Sequence, residues 1–225
     1  EILVRAELPG NNCGGCGFPG CDGLAAAIAA GTAPVNGCPV GGAPVADKIA
    51  AIMGVESGSS EKKVAFVKCK GTCDKTNVKY NYYGITDCSM VTVAPGSGEK
   101  ACAYGCMGYG SCVKACQFDA IHVVDGVAVV DKEKCVACGK CVATCPKGLI
   151  ELVPYKAEHL VQCSSHDKGP AVKKVCTAGC IGCTLCTKQC EFDAIHMENN
   201  VAVIDYEKCT NCGKCAAKCP AKVIQ

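Results

Sequence analysis

Cysteine is the residue type with which this chain can do chemistry. Its 225 residues include 25 cysteines, a share at which cysteine chemistry rather than ordinary packing organises a fold. Two runs, beginning at Cys135 and Cys209, each place four thiols within eleven residues and end in proline. Three cysteines at x2 spacing, a fourth at x3 and a following proline form the bacterial run that binds cubane iron–sulfur clusters. The spacing therefore predicts [4Fe–4S] clusters as cofactors.

Disulfides and structural zinc are the competing interpretations of so many cysteines. Thiols this close in sequence cannot each reach a distant disulfide partner, and an odd total argues against a fully paired secreted domain. Zinc is typically held by two separated C-x2-C pairs, whereas these runs continue into a third and a fourth cysteine. The chain also has no Trp and only 5% aromatic residues, so something other than hydrocarbon must fill its interior. We expect reduced thiols, in a reducing compartment, that bind iron.

A repeat of 74 residues organises the second half of the chain. Eight cysteines recur at that distance: Cys102, Cys106, Cys112, Cys116, Cys135, Cys138, Cys141 and Cys145 match Cys176, Cys180, Cys186, Cys190, Cys209, Cys212, Cys215 and Cys219. The F-D-A-I-H segment at 118–122 also recurs at 192–196. The Asp-Gly pair at 125–126 and the Asn-Asn pair at 199–200 predict type I′ hairpins, because both central residues of that turn need positive φ. Each unit is predicted to be a ferredoxin-like module for two clusters.

The first module lacks one standard ligand. Tyr109 stands where Cys183 completes the first run of the second module. Cys102, four residues before Cys106, is the expected replacement. In each module, the last cysteine of one run is expected to ligate the cluster held by the other run.

A different cysteine unit opens the chain. It supplies four thiols for one further cluster: Cys13, Cys16, Cys21 and Cys38. Helices are predicted at 24–30, ended by Gly31, and at 43–53, ended by Gly54, because glycine is common just past the end of a helix. A polar S-G-S-S stretch then predicts a linker at 55–60.

A count of ligands predicts six [4Fe–4S] clusters, which use 24 of the 25 thiols. Three sets follow the ferredoxin pattern: Cys116, Cys135, Cys138 and Cys141; Cys180, Cys183, Cys186 and Cys219; and Cys190, Cys209, Cys212 and Cys215. Two sets follow by elimination: Cys102, Cys106, Cys112 and Cys145; and Cys69, Cys73 and Cys88 with either Cys163 or Cys176. The last set lies in a unit with strands predicted at 64–67 and 91–93.

The expected architecture is a small α+β protein of irregular iron–sulfur modules, an N-terminal [4Fe–4S] unit followed by tandem bacterial-type 2[4Fe–4S] ferredoxin-like modules. The predicted divisions are a single-cluster domain at 1–54, a linker and intermediate unit at 55–98, the first module at 99–153, a connector at 154–175 and the second module at 176–225. The best apolar run, 24–30, is far short of the roughly 20 residues that span a bilayer. No signal peptide is recognised, and we expect none of these residues to cross a membrane.

Several segments together resemble one known family. The opening N-C-G-G-C-G-F-P-G-C motif, the C-K-G-T segment at Cys69, the Y-G-C segment at Tyr104 and the ferredoxin runs resemble the B subunit of the Rnf complex, in the cluster-rich form of anaerobic bacteria. The likeness covers nearly the whole chain. It implies a membrane helix upstream of the first residue, so we expect the chain to be part of a longer protein.

The resemblance also implies a function. It indicates an electron-transfer subunit of an ion-translocating ferredoxin:NAD oxidoreductase, on the cytoplasmic face of the cell membrane, that relays electrons from reduced ferredoxin to membrane subunits. A free soluble polyferredoxin is the alternative, although a simple carrier does not need the units that precede the tandem modules. The sequence has no dinucleotide-binding glycine motif after a strand and no phosphate loop, so neither NAD nor flavin is expected on this chain. We expect no substrate active site of its own.

Charge excludes nucleic acid as a partner. The formal net charge is +2, and six oxidised clusters with their thiolates, at about −2 each, bring it to about −10. Eight lysines flank the cluster loops: Lys132, Lys134, Lys140, Lys147, Lys208, Lys214, Lys218 and Lys222. Compensation of cluster charge is the favoured interpretation, and docking of an acidic ferredoxin is the alternative. His122 and His196, at equivalent positions of the repeat, are predicted to be exposed strand histidines.

Overall fold

The structure is a computed structural model that describes residues 1–58 and 61–225. Its elements, in chain order, are α1 (Ile2–Glu7), α2 (Gly20–Ala29), α3 (Gly42–Met53), β1 (Lys63–Val67), α4 (Cys88–Val91), a 3₁₀ turn (Pro95–Ser97), α5 (Ser111–Ala115), β2 (Ile121–Val124), β3 (Val127–Val130), α6 (Lys140–Thr144), β4 (Ile150–Pro154), α7 (Gly169–Val175), α8 (Leu185–Gln189), β5 (Ile195–Glu198), β6 (Val201–Ile204) and α9 (Lys214–Lys218). The expected α+β class is confirmed. The linker predicted at 55–60 falls partly on residues 59–60, which lie outside the described residues. None of the helices in the described ranges has the length and apolar character needed to span a membrane.

Helices α1, α2 and α3 pack together as the N-terminal unit. Val4, Leu24, Ile28 and Ile49 are buried between them. Leu24 and Ile28 are four residues apart and therefore lie on the same face of α2. Helix α3 ends at Gly54, whose φ of +68° is the left-handed conformation that glycine adopts at low cost. Both helices predicted for this unit are confirmed, although α2 begins four residues earlier than predicted.

Each ferredoxin-like module is a two-stranded hairpin accompanied by two short helices. Strand β2 pairs with β3 and β5 with β6, both antiparallel, while α5 packs against α6 and α8 against α9. Asp125 and Gly126 have φ values of +48° and +77°, and Asn199 and Asn200 have +46° and +67°. Both turns thus have the positive φ that a type I′ turn needs, and the two predicted hairpins are confirmed.

A third antiparallel ribbon joins the intermediate unit to the C-terminal end of the first module. Strand β1 pairs with β4 so that Lys63 lies opposite Pro154 and Val64 opposite Val153. Val64 and Val153 are fully buried, in an apolar core that also contains residues of the β2–β3 hairpin. The strand predicted at 64–67 is confirmed as part of β1. The ribbon therefore joins the intermediate unit to the end of the first module.

The strand predicted at 91–93 is wrong, because the preceding residues form helix α4 instead. Asp87 caps this helix: its carboxylate accepts a hydrogen bond from the Ser89 N–H at 2.9 Å. Val91, at the end of the helix, is fully buried and packs with Cys88 and Met107. The cap and this burial outweigh the strand preference of the V-T-V segment.

Small side chains and cysteines form the apolar cores. Buried cysteines belong to all four clusters of buried residues, beside Ala, Val, Leu and Ile. No Phe or Tyr side chain is buried in residues 1–58 and 61–225. The hydrocarbon core is therefore thin, as the composition predicts, and the thiols converge where large side chains would otherwise pack.

Candidate iron–sulfur sites

Five cavities in the described part of the chain are each lined by four cysteines, and their volumes are about 330 to 430 Å³. With the four N-terminal thiols they make six sites. These are site 1 (Cys13, Cys16, Cys21, Cys38), site 2 (Cys116, Cys135, Cys138, Cys141), site 3 (Cys88, Cys106, Cys112, Cys145), site 4 (Cys69, Cys102, Cys163, Cys176), site 5 (Cys180, Cys183, Cys186, Cys219) and site 6 (Cys190, Cys209, Cys212, Cys215).

Site 1 lies against the core of the N-terminal unit. Cys21 and Cys38 are buried there, and Cys16 packs against the same core. The Cys21 N–H donates a hydrogen bond to Oδ1 of Asn12 at 2.8 Å, which fixes the loop that carries the first thiols. Burial raises the pKa of Cys38, and the nearby thiols of Cys21 and Cys16 raise it further. Three of the four thiols predicted for this unit thus share one neighbourhood, and Cys13 stays a predicted fourth ligand.

Sites 2, 5 and 6 bring together the sets that the ferredoxin pattern predicts. A five-residue helix links the two sites of each module. In the first module, α5 carries Cys112 of site 3 and is followed at once by Cys116 of site 2. In the second module, α8 carries Cys186 of site 5 and is followed by Cys190 of site 6. Each short helix thus sets the spacing between two sites.

Site 3 corrects one of the sets assigned by elimination. Cys88 lines this cavity with Cys106, Cys112 and Cys145, and Cys102 does not. Helix α4 brings Cys88 into position, because the Cys88 N–H donates to Oγ of Ser111 at 2.8 Å, and that hydroxyl donates to the Asp87 carboxylate at 2.9 Å.

Tyr109, which stands in place of the missing ligand, packs at the edge of this site. Its ring makes an edge-to-face contact with Tyr82, at 5.7 Å between ring centroids. The segment preceding the module therefore supplies the thiol that the module itself lacks.

Site 4 corrects the other set. Cys69 is joined by Cys102, Cys163 and Cys176, so both of the alternative fourth ligands line the same cavity. Cys73 lies outside it and is exposed, with its N–H donating to the Asp125 carbonyl at 2.9 Å. The thiol left over from the count of 25 is therefore Cys73. Cys69, Cys102, Cys163 and Cys176 come from four separate segments, and local spacing carries no signal of their approach.

The donor set of each site fits a cubane cluster. Each site has at least one backbone N–H directed at a cysteine sulfur, at 3.2 to 3.5 Å, which is how proteins stabilise thiolates bound to iron. Within residues 1–58 and 61–225, no three His, Cys, Asp or Glu side chains converge on a position for a single metal ion. The thiols instead surround cavities, as a four-iron core requires.

Burial and the nearby thiols raise the pKa of several of the proposed ligands. Burial raises the pKa of Cys112 to about 12, and the neighbouring thiols of Cys106, Cys88 and Cys145 add to the rise. Burial likewise raises the pKa of Cys141, Cys163 and Cys186 to about 11. Only a bound cation makes several adjacent thiolates favourable, so cluster assembly must release protons and contribute to folding.

Three family models match these regions. They are described as "Putative Fe-S cluster" (residues 8–40), "LdpA Fe-S cluster-binding domain" (111–156) and "4Fe-4S dicluster domain" (179–224). The first range contains site 1, the second contains site 2 and two cysteines of site 3 (Cys112 and Cys145), and the third contains sites 5 and 6. Iron–sulfur clusters are therefore confirmed as the class of cofactor.

Curated relatives match almost the whole chain. The B subunit of the Na(+)-translocating ferredoxin:NAD(+) oxidoreductase complex of Acetobacterium woodii is 53% identical over 99% of this chain and 67% of its own length. The B subunit of the ion-translocating oxidoreductase complex of Methanosarcina acetivorans is 48% identical over 99% of this chain and 84% of its own length. The chain belongs to this family of B subunits. The resemblance noted in the sequence is confirmed.

Several lysines beside the cluster loops of this B-subunit chain pair with acidic neighbours. Lys134 contacts Asp119 at 2.7 Å, and Lys214 contacts Glu191 at 2.6 Å. Lys147 is half-buried and donates to the Gly105 carbonyl at 3.1 Å, and burial lowers its pKa. Lys134 and Lys214 thus pair with carboxylates, and compensation of cluster charge by the lysines stays a prediction. The two strand histidines, His122 and His196, have side chains that are about half exposed.

A first prediction concerns cluster content. Six four-iron clusters require about 24 irons per chain. We expect this iron content, with matching acid-labile sulfide, in the protein purified and reconstituted under anaerobic conditions. Elemental analysis gives the measurement. Stoichiometric zinc, or iron near about 16 per chain, would contradict the six sites.

A second prediction distinguishes the cysteine sets seen in the structure for sites 3 and 4 from the sets expected by elimination. Cys88→Ala should lower the iron content below that of the wild type, because it removes a ligand from site 3. Cys73→Ala is the matched control and should leave the iron content unchanged. Iron analysis and EPR spectra of the reduced proteins provide the comparison. Loss of iron in Cys73→Ala, with full iron in Cys88→Ala, would reverse the assignment.

Proposed function

We propose that this chain relays electrons from reduced ferredoxin to the membrane subunits of an ion-translocating ferredoxin:NAD oxidoreductase, at the cytoplasmic face of the membrane. The six cysteine sets act as ligands of six [4Fe–4S] clusters. One observation carries the proposal: neighbouring sites are joined, pair by pair, into a single series from site 1 to site 6. The names of the relatives support the partners; they include the B subunit of a proton-translocating ferredoxin:NAD(+) oxidoreductase complex of Clostridium ljungdahlii, 43% identical over 99% of this chain and 80% of its own length.

Sites 3, 4 and 5 are joined by hydrogen bonds between their own cysteines. The N–H of Cys106, in site 3, donates to Sγ of Cys69, in site 4, at 3.3 Å. The N–H of Cys180, in site 5, donates to Sγ of Cys163, in site 4, at 3.2 Å. Site 4 therefore lies between the two ferredoxin-like modules and connects them, so an electron can cross from one module to the other.

Sites 1 and 2 approach each other through a glycine. A Cβ placed on Gly15, between two thiols of site 1, would lie 2.7 Å from the carbonyl oxygen of Cys138 in site 2. The thiol of Cys13 also contributes, after burial, to the raised pKa of Cys138. The backbone of the N-terminal unit thus lies directly against the first module. The remaining links, between sites 2 and 3 and between sites 5 and 6, run through the short helices α5 and α8.

The exposure of two ligands in the C-terminal module favours this module as the point where electrons enter from ferredoxin. Cys183 of site 5 and Cys212 of site 6 are exposed, whereas the other proposed ligands in the described part of the chain are buried or half-buried. Exposed lysines, Lys218 and Lys222, lie beside these sites and suit an acidic electron donor. Site 1, at the opposite end, then passes electrons to the membrane subunits.

A third prediction tests this direction. Cys16→Ser should remove or alter the site 1 cluster, so reduction of the remaining clusters by ferredoxin stays intact while electron transfer to NAD in the assembled complex stops. Cys73→Ser, which changes a cysteine outside all six sites, is the control and should behave as the wild type. Stopped-flow reduction of the purified protein and ferredoxin-dependent NAD reduction by membranes give the two readouts. Loss of the initial reduction in Cys16→Ser would place ferredoxin entry at site 1.

A fourth prediction tests the contact between sites 1 and 2. Gly15→Ala should destabilise the packing of the N-terminal unit against the first module by about 1–3 kcal/mol, because the new methyl group meets a backbone carbonyl that cannot move aside. Gly14→Ala is the matched control, since a Cβ there meets nothing within 4 Å, although its φ of +71° carries a modest cost. Iron content should be unchanged in both, and electron transfer from site 2 to site 1 should be slower in Gly15→Ala than in Gly14→Ala. Equal rates would contradict transfer through this contact.

A further inference from the structure

Site 4 has an unusually polar lining. Among the described residues, four polar or charged side chains are buried, and three of them line this cavity: Thr76, Lys100 and Ser165. The Thr76 hydroxyl, 5% exposed, donates to Sγ of Cys176 at 3.7 Å. The sulfurs of Cys69 and Cys163 each accept two backbone hydrogen bonds, at 3.2 to 3.5 Å. Three of the four sulfurs thus have donors directed at them.

Lys100 brings a buried positive charge to this lining. Lys100 is only 8% exposed. Its Nζ donates hydrogen bonds to the carbonyl oxygens of Gly71, at 3.0 Å, and Gly126, at 2.5 Å. In the residues that the structure describes, no carboxylate lies within ion-pair distance of Nζ, although exposed lysines elsewhere in the chain do form such pairs. A buried cation without an anion is strongly unfavourable, so Lys100 requires a negative partner.

A cluster held by the four thiols of site 4 would supply that partner. An oxidised cubane with four thiolates carries a charge of about −2, and one added electron makes it about −3. A nearby ammonium group stabilises the reduced cluster more than the oxidised one and so makes the reduction potential less negative. Hydrogen bonds to the sulfurs have the same effect. Lys100 lines the cavity of site 4 together with Cys69 and Cys102.

We infer that Lys100, assisted by Thr76, gives site 4 the least negative reduction potential of the six clusters. This inference rests on the proposed function, because it requires a [4Fe–4S] cluster at site 4 and transfer through it. A cluster held by these thiols would accept one electron from the cluster of site 5, which would thereby be oxidised, and would pass that electron on to site 3. It would be the first cluster to be reduced and would hold an electron between the two modules. Lys100 is a positioning residue in this scheme, acting through the charge of the cluster.

A fifth prediction tests this role on the complete, cluster-loaded protein. An EPR-monitored redox titration of the wild type should show one cluster that is reduced at a less negative potential than the others, and Cys176→Ser should remove or change that signal. Lys100→Gln should move the same signal to a more negative potential at unchanged iron content. Lys79→Gln is the matched control, because Lys79 is exposed and also donates to a glycine carbonyl, at 3.0 Å. Its titration should equal that of the wild type.

Two further variants keep the test decisive. Thr76→Val keeps the shape of the side chain but removes one hydrogen bond to sulfur, so the site 4 signal should shift in the same direction by a smaller amount. Lys100→Arg keeps the charge and should retain a potential close to that of the wild type. If Lys100→Gln keeps its full iron content and its site 4 signal does not shift, the inference is overturned. If Lys100→Gln loses iron, an unshifted signal in Thr76→Val overturns it instead. A wild type without a sixth cluster would instead overturn the proposed function.

Discussion

The convergence of four cysteine side chains on each cavity is the constraint on which the rest of this structure depends. Burial raises the pKa of individual ligands in these sets, to about 12 for Cys112 and to about 11 for Cys163. Neighbouring thiolates also repel one another, so iron must compensate the charge before the sites become favourable. The surrounding hydrocarbon is thin, and no aromatic side chain is buried in the described residues. Metal ligation therefore takes over the role that apolar packing has in most domains.

Local patterns in the sequence predict much of this arrangement. The x2 and x3 spacing in the ferredoxin runs is sufficient to group the thiols of sites 2, 5 and 6, because those ligands lie on loops and helices of a few residues. Glycine after α3 and the paired turn residues at 125–126 and 199–200 predict the helix end and the hairpins, since each depends on the φ of one or two residues. In these regions, the features depend on residues that are close in sequence, so a local pattern is sufficient to predict them.

The grouping of sites 3 and 4 by elimination is wrong for a physical reason. Cys88 reaches site 3 because an aspartate cap turns the V-T-V segment into the end of a helix, and because Ser111 accepts a hydrogen bond from its backbone. Cys102 reaches site 4 because the intermediate unit, the two modules and the connector between them meet there, each with one thiol. The spacing of cysteines in the sequence predicts neither of these contacts. The burial of Lys100 is equally invisible in the sequence, where it is one lysine among many.

The pairing of β1 with β4 across the first module has a consequence for how the protein is made. A chain leaving the ribosome exposes Cys69 and Cys88 well before the cysteines that complete their sites, and β1 has no partner until β4 has been synthesised. Site 1, whose four thiols come from one short N-terminal stretch, can be loaded with iron much earlier. Biogenesis thus follows the order of the thiols along the chain: site 1 can be completed first, sites 2 and 3 once Cys145 has been made, and site 4 only with Cys176. Until then Cys69 stays unligated in the nascent protein, so its production favours cells that keep oxygen and oxidants away from newly made chains.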